Sequence, residues 1–194
     1  SSSLPFSAMK KPLAKCKWFF QMKRTLRCMK NEAVLRFTRA QGEITMSYIS
    51  EMRKYIGHTP MAAVGATVVV LKGDKILMNL RSDTKTWGIP GGAAELGETL
   101  EETAARELKE ETNLTAERFT LLYLFSGNEF YFKYPNGDEL YSVIALYLAE
   151  DVSGEMKITD GESNALKFFG KDEMPTLESR AAKIIGWLIR EKYI

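Results

Sequence analysis

The chain has 194 residues, 45% of them hydrophobic, with 27 Lys and Arg against 25 Asp and Glu and a single histidine. That composition supplies a packed core and excludes general disorder and low-complexity architectures. No run approaches the roughly eighteen apolar residues of a membrane span, and both cysteines, Cys16 and Cys28, fall early, so residues 46–194 hold neither a disulfide nor a thiolate metal site.

The near-neutral total hides an asymmetry. Residues 1–45 carry ten Lys and Arg against two Glu, a net of +8; the remaining 17 basic and 23 acidic residues leave 46–194 at −6. Three readings fit the basic segment. It is translated upstream sequence, with Met46 as the natural start, because Gln41-Gly42-Glu43 can be encoded by the purine-rich run CAA GGA GAA. Alternatively it is a structural or targeting arm, or an arm for nucleic acid. The folded domain is expected over 46–194.

In chain order, "MSYISEMRKYIG" places Ile49, Met52, Tyr55 and Ile56 on one face, which predicts a helix over 46–56 stopped by Gly57. "AAVGATVVVL" and "KILMNLRS", separated by "KGD", predict a hairpin with Thr67 to Leu71 apolar enough for burial. A loop through Gly91 and Gly92 leads to a helix from about Thr99 to Thr112. "RFTLLYLFSG", "EFYFKY" and "LYSVIALYLAE" read as strands, the last two joined by the turn "PNGD". "ALKFFG" adds a strand and "SRAAKIIGWLIREKYI" a C-terminal helix. Interleaved strands, helices and hairpins give the α/β class with a mixed sheet.

The chemistry is concentrated in residues 91–114, "GGAAELGETLEETAARELKEETNL", where seven glutamates face only Arg106 and Lys109. Like charges three or four residues apart on a helix cost about 0.2–0.5 kcal/mol per pair. On a helical wheel Glu107, Glu110 and Glu111 fall within about a third of a turn, beside a greasy flank of Ala104, Ala105 and Leu108. Carboxylates in that arrangement suit hard divalent cations, and bound Mg²⁺ or Mn²⁺ would cancel their mutual repulsion.

Gly92, Glu98, the run Arg106-Glu107-Leu108, Glu110-Glu111 and Leu114 occupy 23 residues in a spacing that resembles the signature of the Nudix hydrolases. "TWGIPGG" and the order of elements from about 60 to 190 are similar to that family as well, while Asn113 stands where it usually has Gly. The resemblance implies a Nudix-type α/β/α sandwich with a mixed β-sheet, and hydrolysis of a nucleoside diphosphate linked to another group, with Mg²⁺ or Mn²⁺. It assigns Glu107, Glu110, Glu111 and the carbonyl of Gly91 to metal, with Glu107 also a base, and Glu98 to metal directly or through water. Arg106 is expected to pair with Glu98 or Glu107 and fix its rotamer. Asn113, just past the helix, is expected in the left-handed conformation at little cost.

Further candidates each have a plainer alternative. Arg81 meets a phosphate or makes a surface salt bridge. Alternation puts Tyr131 on one face and Phe130 and Phe132 on the other, one set for a nucleobase and the other for the core. Glu162, with Asp160, is a second acidic patch or an ordinary acidic turn. Trp87 is expected beneath the Gly91-Gly92 loop, and His58 is read as a turn residue. The partner expected is a small-molecule nucleotide, with no membrane and no nucleic acid, a homodimer being compatible, in the cytoplasm. Two functions compete with the pyrophosphohydrolase: a Nudix-like sensor that binds a nucleotide without cleaving it, and removal of pyrophosphate from RNA 5′ ends. Retention of every signature carboxylate favours the enzyme over the sensor, and the acidity of the domain disfavours RNA.

Overall fold

Two sheets hold the chain, and their strands come from distant parts of the sequence. The computed structural model describes residues 47–159 and 161–194; the readings made for residues 1–45, for Met46 and for Asp160 concern positions outside the described residues. Helix α1 (Tyr48–Ile56) precedes β1 (Met61–Val69), β2 (Leu71–Lys72), β3 (Lys75–Arg81), β4 (Trp87–Gly88) and β5 (Gly91–Ala93). Helix α2 (Leu100–Thr112) follows, then β6 (Arg118–Phe125), β7 (Tyr131–Lys133), β8 (Glu139–Glu150), β9 (Ser163–Gly170) and helix α3 (Ser179–Arg190). One sheet has the order β5-β1-β8-β6, with β7 also on β8, and the second has β2-β3-β4 with β9 on β3. The β1–β8 pair is parallel and the others are antiparallel, so the sheet is mixed, as expected.

Helices cover both sides and complete an α/β/α sandwich. On one side Ala104 and Leu108 of α2 pack with Ala66, Val68, Leu77 and Ala149. On the other, Ala181, Ile184, Ile185 and Leu188 of α3, spaced as one helical face, pack with Val69, Ile76, Met78 and Leu146. Ala105, expected on the greasy flank of α2, is exposed. Among the described residues no helix is long and apolar enough to cross a membrane.

The hairpin expected between residues 62–71 and 75–82 is confined to its tip, where Leu71 and Lys72 pair with Ile76 and Lys75. The rest of β1 leaves for the other sheet and aligns with β8 from Met61↔Leu140 to Val69↔Leu148. Its apolar run therefore marks a strand buried on both faces at a sheet centre rather than one arm of a local hairpin. The Gly91-Gly92 segment is likewise no free loop: it pairs with Gly65, Ala66 and Thr67 as β5. A Cβ on Gly65 would collide with the Gly92 carbonyl and one on Gly91 with the Ala66 carbonyl, so glycine at those two positions permits this close approach. The strand expected over 129–134 shortens to β7, and Phe130 turns into the core from a 3₁₀ turn, 4% exposed. Trp87 packs edge-on to Phe169, ring centroids 4.7 Å apart, in the cluster beneath α3.

Candidate active site

Helix α2 begins where its sequence says it should. Thr99 accepts from Glu102 N (3.2 Å) while the Glu102 carboxylate takes the Thr99 N–H (2.8 Å), a reciprocal cap that satisfies two orphan amides. Glu101 and Glu102 add negative charge at the positive end of the helix. It ends at Asn113, left-handed at φ 61°, as expected. The Asn113 side chain is also engaged: Oδ1 accepts from Lys109 Nζ (2.8 Å) and Nδ2 donates to Glu155 O (2.9 Å).

Between those ends Arg106 organises the acidic face. Its Nε donates to Glu98 Oε1 (2.7 Å), NH1 to Glu107 Oε1 (2.6 Å) and Glu110 Oε2 (3.0 Å), and NH2 to Ala93 O (2.9 Å) and Glu98 Oε2 (3.1 Å). Glu98 reinforces the loop before α2 by also accepting from Thr103 Oγ1 and Glu95 N, both at 3.0 Å. Glu111, 4% exposed, accepts from Gly91 N at 3.0 Å and so ties α2 to β5. The crowded charge is thus answered partly from within the chain. Among the described residues no three carboxylates converge as a finished metal cage, because Arg106 stands between Glu98, Glu107 and Glu110.

Burial raises the Glu107 carboxyl to about 6 against the opposing pull of Arg106, with Glu110 and Glu162 adding to the rise. The hydrogen bond from Arg106 holds Glu98 below its usual range despite burial. These opposite shifts give neighbouring carboxylates different proton affinities.

Arg81 and Glu162 arrive at the same mouth from the second sheet. Ser82 N donates to Glu162 O (2.7 Å), and Arg81 pairs in register with Ser163. Arg81 also clasps Asp83 through Nε (3.0 Å) and NH2 (2.7 Å), the salt bridge weighed as its alternative, and it lies close enough to Glu111 to feel its charge. Tyr131 is not brought to the carboxylates. Strands β1 and β8 separate it from β5, and its hydroxyl donates to Glu139 Oε2 at 2.7 Å. Its ring lies 5.2 Å from that of Tyr141, on the sheet face that also carries Val64. That face continues from the buried Ala66 under α2 to Val64 and Tyr141, 47% and 41% exposed, so an apolar platform adjoins the acidic mouth. Phe132 faces elsewhere, with the Arg180 guanidinium 4.4 Å above its ring. His58 sits in its turn and hydrogen-bonds Asp138 (2.8 Å).

Sequence reasoning missed Glu95. Its carboxylate accepts the Tyr48 N–H of α1 at 2.9 Å. No spacing rule separates it from the other glutamates of the segment, and only the fold brings α1 beside it.

The NUDIX domain family matches residues 61–188. An ADP-ribose pyrophosphatase from Methanocaldococcus jannaschii is 34% identical over 134 residues, spanning 67% of this chain and 75% of that protein. A MutT-like protein from Streptomyces ambofaciens is 33% identical over 116 residues, 59% of this chain and 68% of that protein. The crystal structure of a MutT NUDIX hydrolase from Burkholderia pseudomallei superposes with a TM-score of 0.56 at 27% identity, covering 65% of this chain and 97% of its own.

Proposed function

Because the chain belongs to the Nudix family and is a pyrophosphohydrolase of it, we propose that it cleaves, with Mg²⁺ or Mn²⁺, the pyrophosphate linkage of a nucleoside diphosphate derivative, an ADP-ribose-like or nucleoside polyphosphate substrate. The observation that carries this reading is the set of carboxylates gathered by Arg106 on α2, with the exposed Val64 of β1 and Tyr141 of β8 continuing the sheet face that α2 covers at Ala66. A substrate with one strongly anionic end and one flat, partly apolar end fits that arrangement.

The donor set suits a hard cation. It is all oxygen, the one histidine is held by Asp138 in a turn, and Glu107, Glu110 and Glu111 share one side of α2, tied to β5 by the Gly91 N–H on Glu111. Those three carboxylates and the Gly91 carbonyl would hold the metal, with Glu98 assisting directly or through water. When bound, the cation supplies charge neutralisation at the phosphate oxygens and a more acidic water. The chain's own residues do the rest. Arg106 holds Glu107 Oε1 in place, which leaves Oε2 to take a proton from the attacking water. Burial raises the Glu107 carboxyl to about 6 in the metal-free chain and a bound cation would lower it again, so Glu107 is ionised at neutral pH and able to accept that proton. Water oxygen bonds to phosphorus and the bridging P–O bond breaks, which gives a nucleoside monophosphate and either a second phosphate monoester, from an ADP-ribose-like substrate, or inorganic pyrophosphate, from a nucleoside triphosphate. Arg81, at the second-sheet rim, meets the phosphates by exchanging part of its Asp83 pair.

The test is incubation of the full chain with ADP-ribose and a panel of nucleoside polyphosphates and nucleotide sugars in Mn²⁺ or Mg²⁺, with products separated by ion exchange. Nucleoside monophosphate release that is abolished by EDTA and by Glu111→Gln is expected. No cleavage of any panel member would overturn the reading.

A further inference from the structure

Helix α1 buries none of its nine residues fully, so it adds little to the core, yet its first turn is tied to the acidic loop and its last to the hairpin before β8. At the first turn Ser47 caps the Ser50 amide, and the Tyr48 N–H, an amide with no partner inside the helix, donates to Glu95 Oε2 at 2.9 Å. Glu95 hands the connection on, since its own N–H donates to Glu98 Oε2 at 3.0 Å, and Glu98 clasps Arg106. At the other end Arg53 donates to the carbonyls of Gly57 (3.0 Å), Thr59 (2.7 Å) and Glu139 (2.8 Å). Its Nε lies 3.3 Å from Asp138, near enough for an ion pair but not aligned for a hydrogen bond. Glu139 in turn receives the Tyr131 hydroxyl. One short helix thus joins the loop that carries Glu98 to the hairpin that carries Tyr131.

Resting on the reading of α2 as the metal-holding helix, we propose that Glu95 is a positioning residue: the Tyr48 N–H···Glu95 bond fixes the loop that sets Glu98 and Arg106, and through them the geometry in which Glu107 and Glu110 meet the metal. The bond supplies a defined partner for a half-buried carboxylate in a loop that also contains Gly97 at φ 88° and Leu96, 80% exposed. Outer partners of this kind orient ligands without touching the ion.

The position of Tyr48 allows a clean test. It is the first residue of α1, where proline is tolerated, and Ser47 before it is extended (ψ 151°), as a residue preceding proline must be. Tyr48→Pro therefore deletes the N–H while sparing the helix, and Tyr48→Ala removes only the side chain. Mn²⁺ binding to the full chain is measured by titration calorimetry and by the metal-induced rise in Tm, with far-UV circular dichroism as a folding check. Tyr48→Pro should raise the half-saturating Mn²⁺ concentration about ten-fold, while Tyr48→Ala stays within about two-fold of wild type. Glu95→Gln, which keeps an oxygen acceptor, should retain most of the affinity, and Glu95→Ala should match Tyr48→Pro. The double variant Tyr48→Pro/Glu95→Ala should bind no more weakly than either single one, because the two changes remove one bond. Wild-type affinity in Tyr48→Pro, or additive losses in the double variant, would overturn the proposal. A wild-type chain that takes up no Mn²⁺ would instead remove the reading of α2 on which it rests.

Discussion

Replacing Glu107 with Gln should stabilise the metal-free protein at neutral pH and abolish that gain in acid. Its side chain is 13% exposed, so solvent screening does little to soften the cost of ionising it. Burial lifts its carboxyl from 4.5 to about 6, and each unit of such a shift is worth about 1.4 kcal/mol. The folded state therefore holds its proton to higher pH than the unfolded chain does. Below about pH 4.5 both are protonated and nothing is lost. As pH rises from 4.5 to about 6 the unfolded chain ionises first, and stability falls by about 2 kcal/mol, a loss that persists above pH 6. Gln keeps an oxygen for Arg106 and carries no charge, so it escapes the loss. In EDTA at pH 7.5 the variant should melt on the order of 5 °C above wild type, and at pH 4 the two should coincide. Saturating Mn²⁺ should reverse the order at pH 7.5, because only the wild type keeps the full ligand set and gains the full linkage stabilisation. The measurement is thermal unfolding at the two pH values with and without metal. Coincident curves at pH 7.5 in EDTA, or a gain that survives at pH 4, would refute the assignment of Glu107 as a buried, ionised carboxylate.

Gly92→Ala should leave a folded protein with turnover reduced about 100-fold, since displacement of a catalytic group by about 1 Å costs that much; a Cβ there would enter the Glu107 carboxylate and push it aside. Steady-state rates with the best substrate of the panel decide the point, and wild-type turnover would show that Glu107 yields without consequence. Asn113→Gly, which sequence reasoning would rate neutral or mildly stabilising, should instead lower stability in urea by about 1 kcal/mol: Gly relieves a left-handed residue but loses the bonds to Lys109 and Glu155 and adds unfolded-state entropy. Thr99→Ala should cost about 1 kcal/mol by removing the cap of α2, and circular dichroism during urea unfolding measures it.

The parts of the fold legible in the sequence are those decided by contacts within a few residues. The capped helix from Thr99 to Asn113, the turn before β8 and the apolar face of α3 each follow from local spacing. What escaped was pairing at a distance. Nothing in "AAVGATVVVL" tells whether its partner is the next strand or β8 about eighty residues on, because period-two alternation names a face and not a neighbour. Trp87 shows the same limit: its contact with Phe169 depends on β9, a strand that meets β3 only in the folded sheet.

The acidic segment shows where reading charge from a sequence stops. Counting its glutamates poses the right question but cannot assign them, and the fold divides them into separate tasks. Glu102 and Glu101 serve the start of α2, Glu95 holds α1, and Glu111 holds β5. Arg106 then meets Glu98, Glu107 and Glu110 together, a threefold pairing that no pairwise rule along a helix anticipates, because Glu98 lies outside the helix. At the mouth, Glu98, Glu107 and Glu110 face one arginine, so three charges less one leave −2 when all are ionised. Arg81 does not settle that balance, since Asp83 already claims it. Internal pairing thus shapes the cluster without neutralising it, and the remaining charge lies where a divalent cation would do the most to hold the carboxylates together and a bound diphosphate in place.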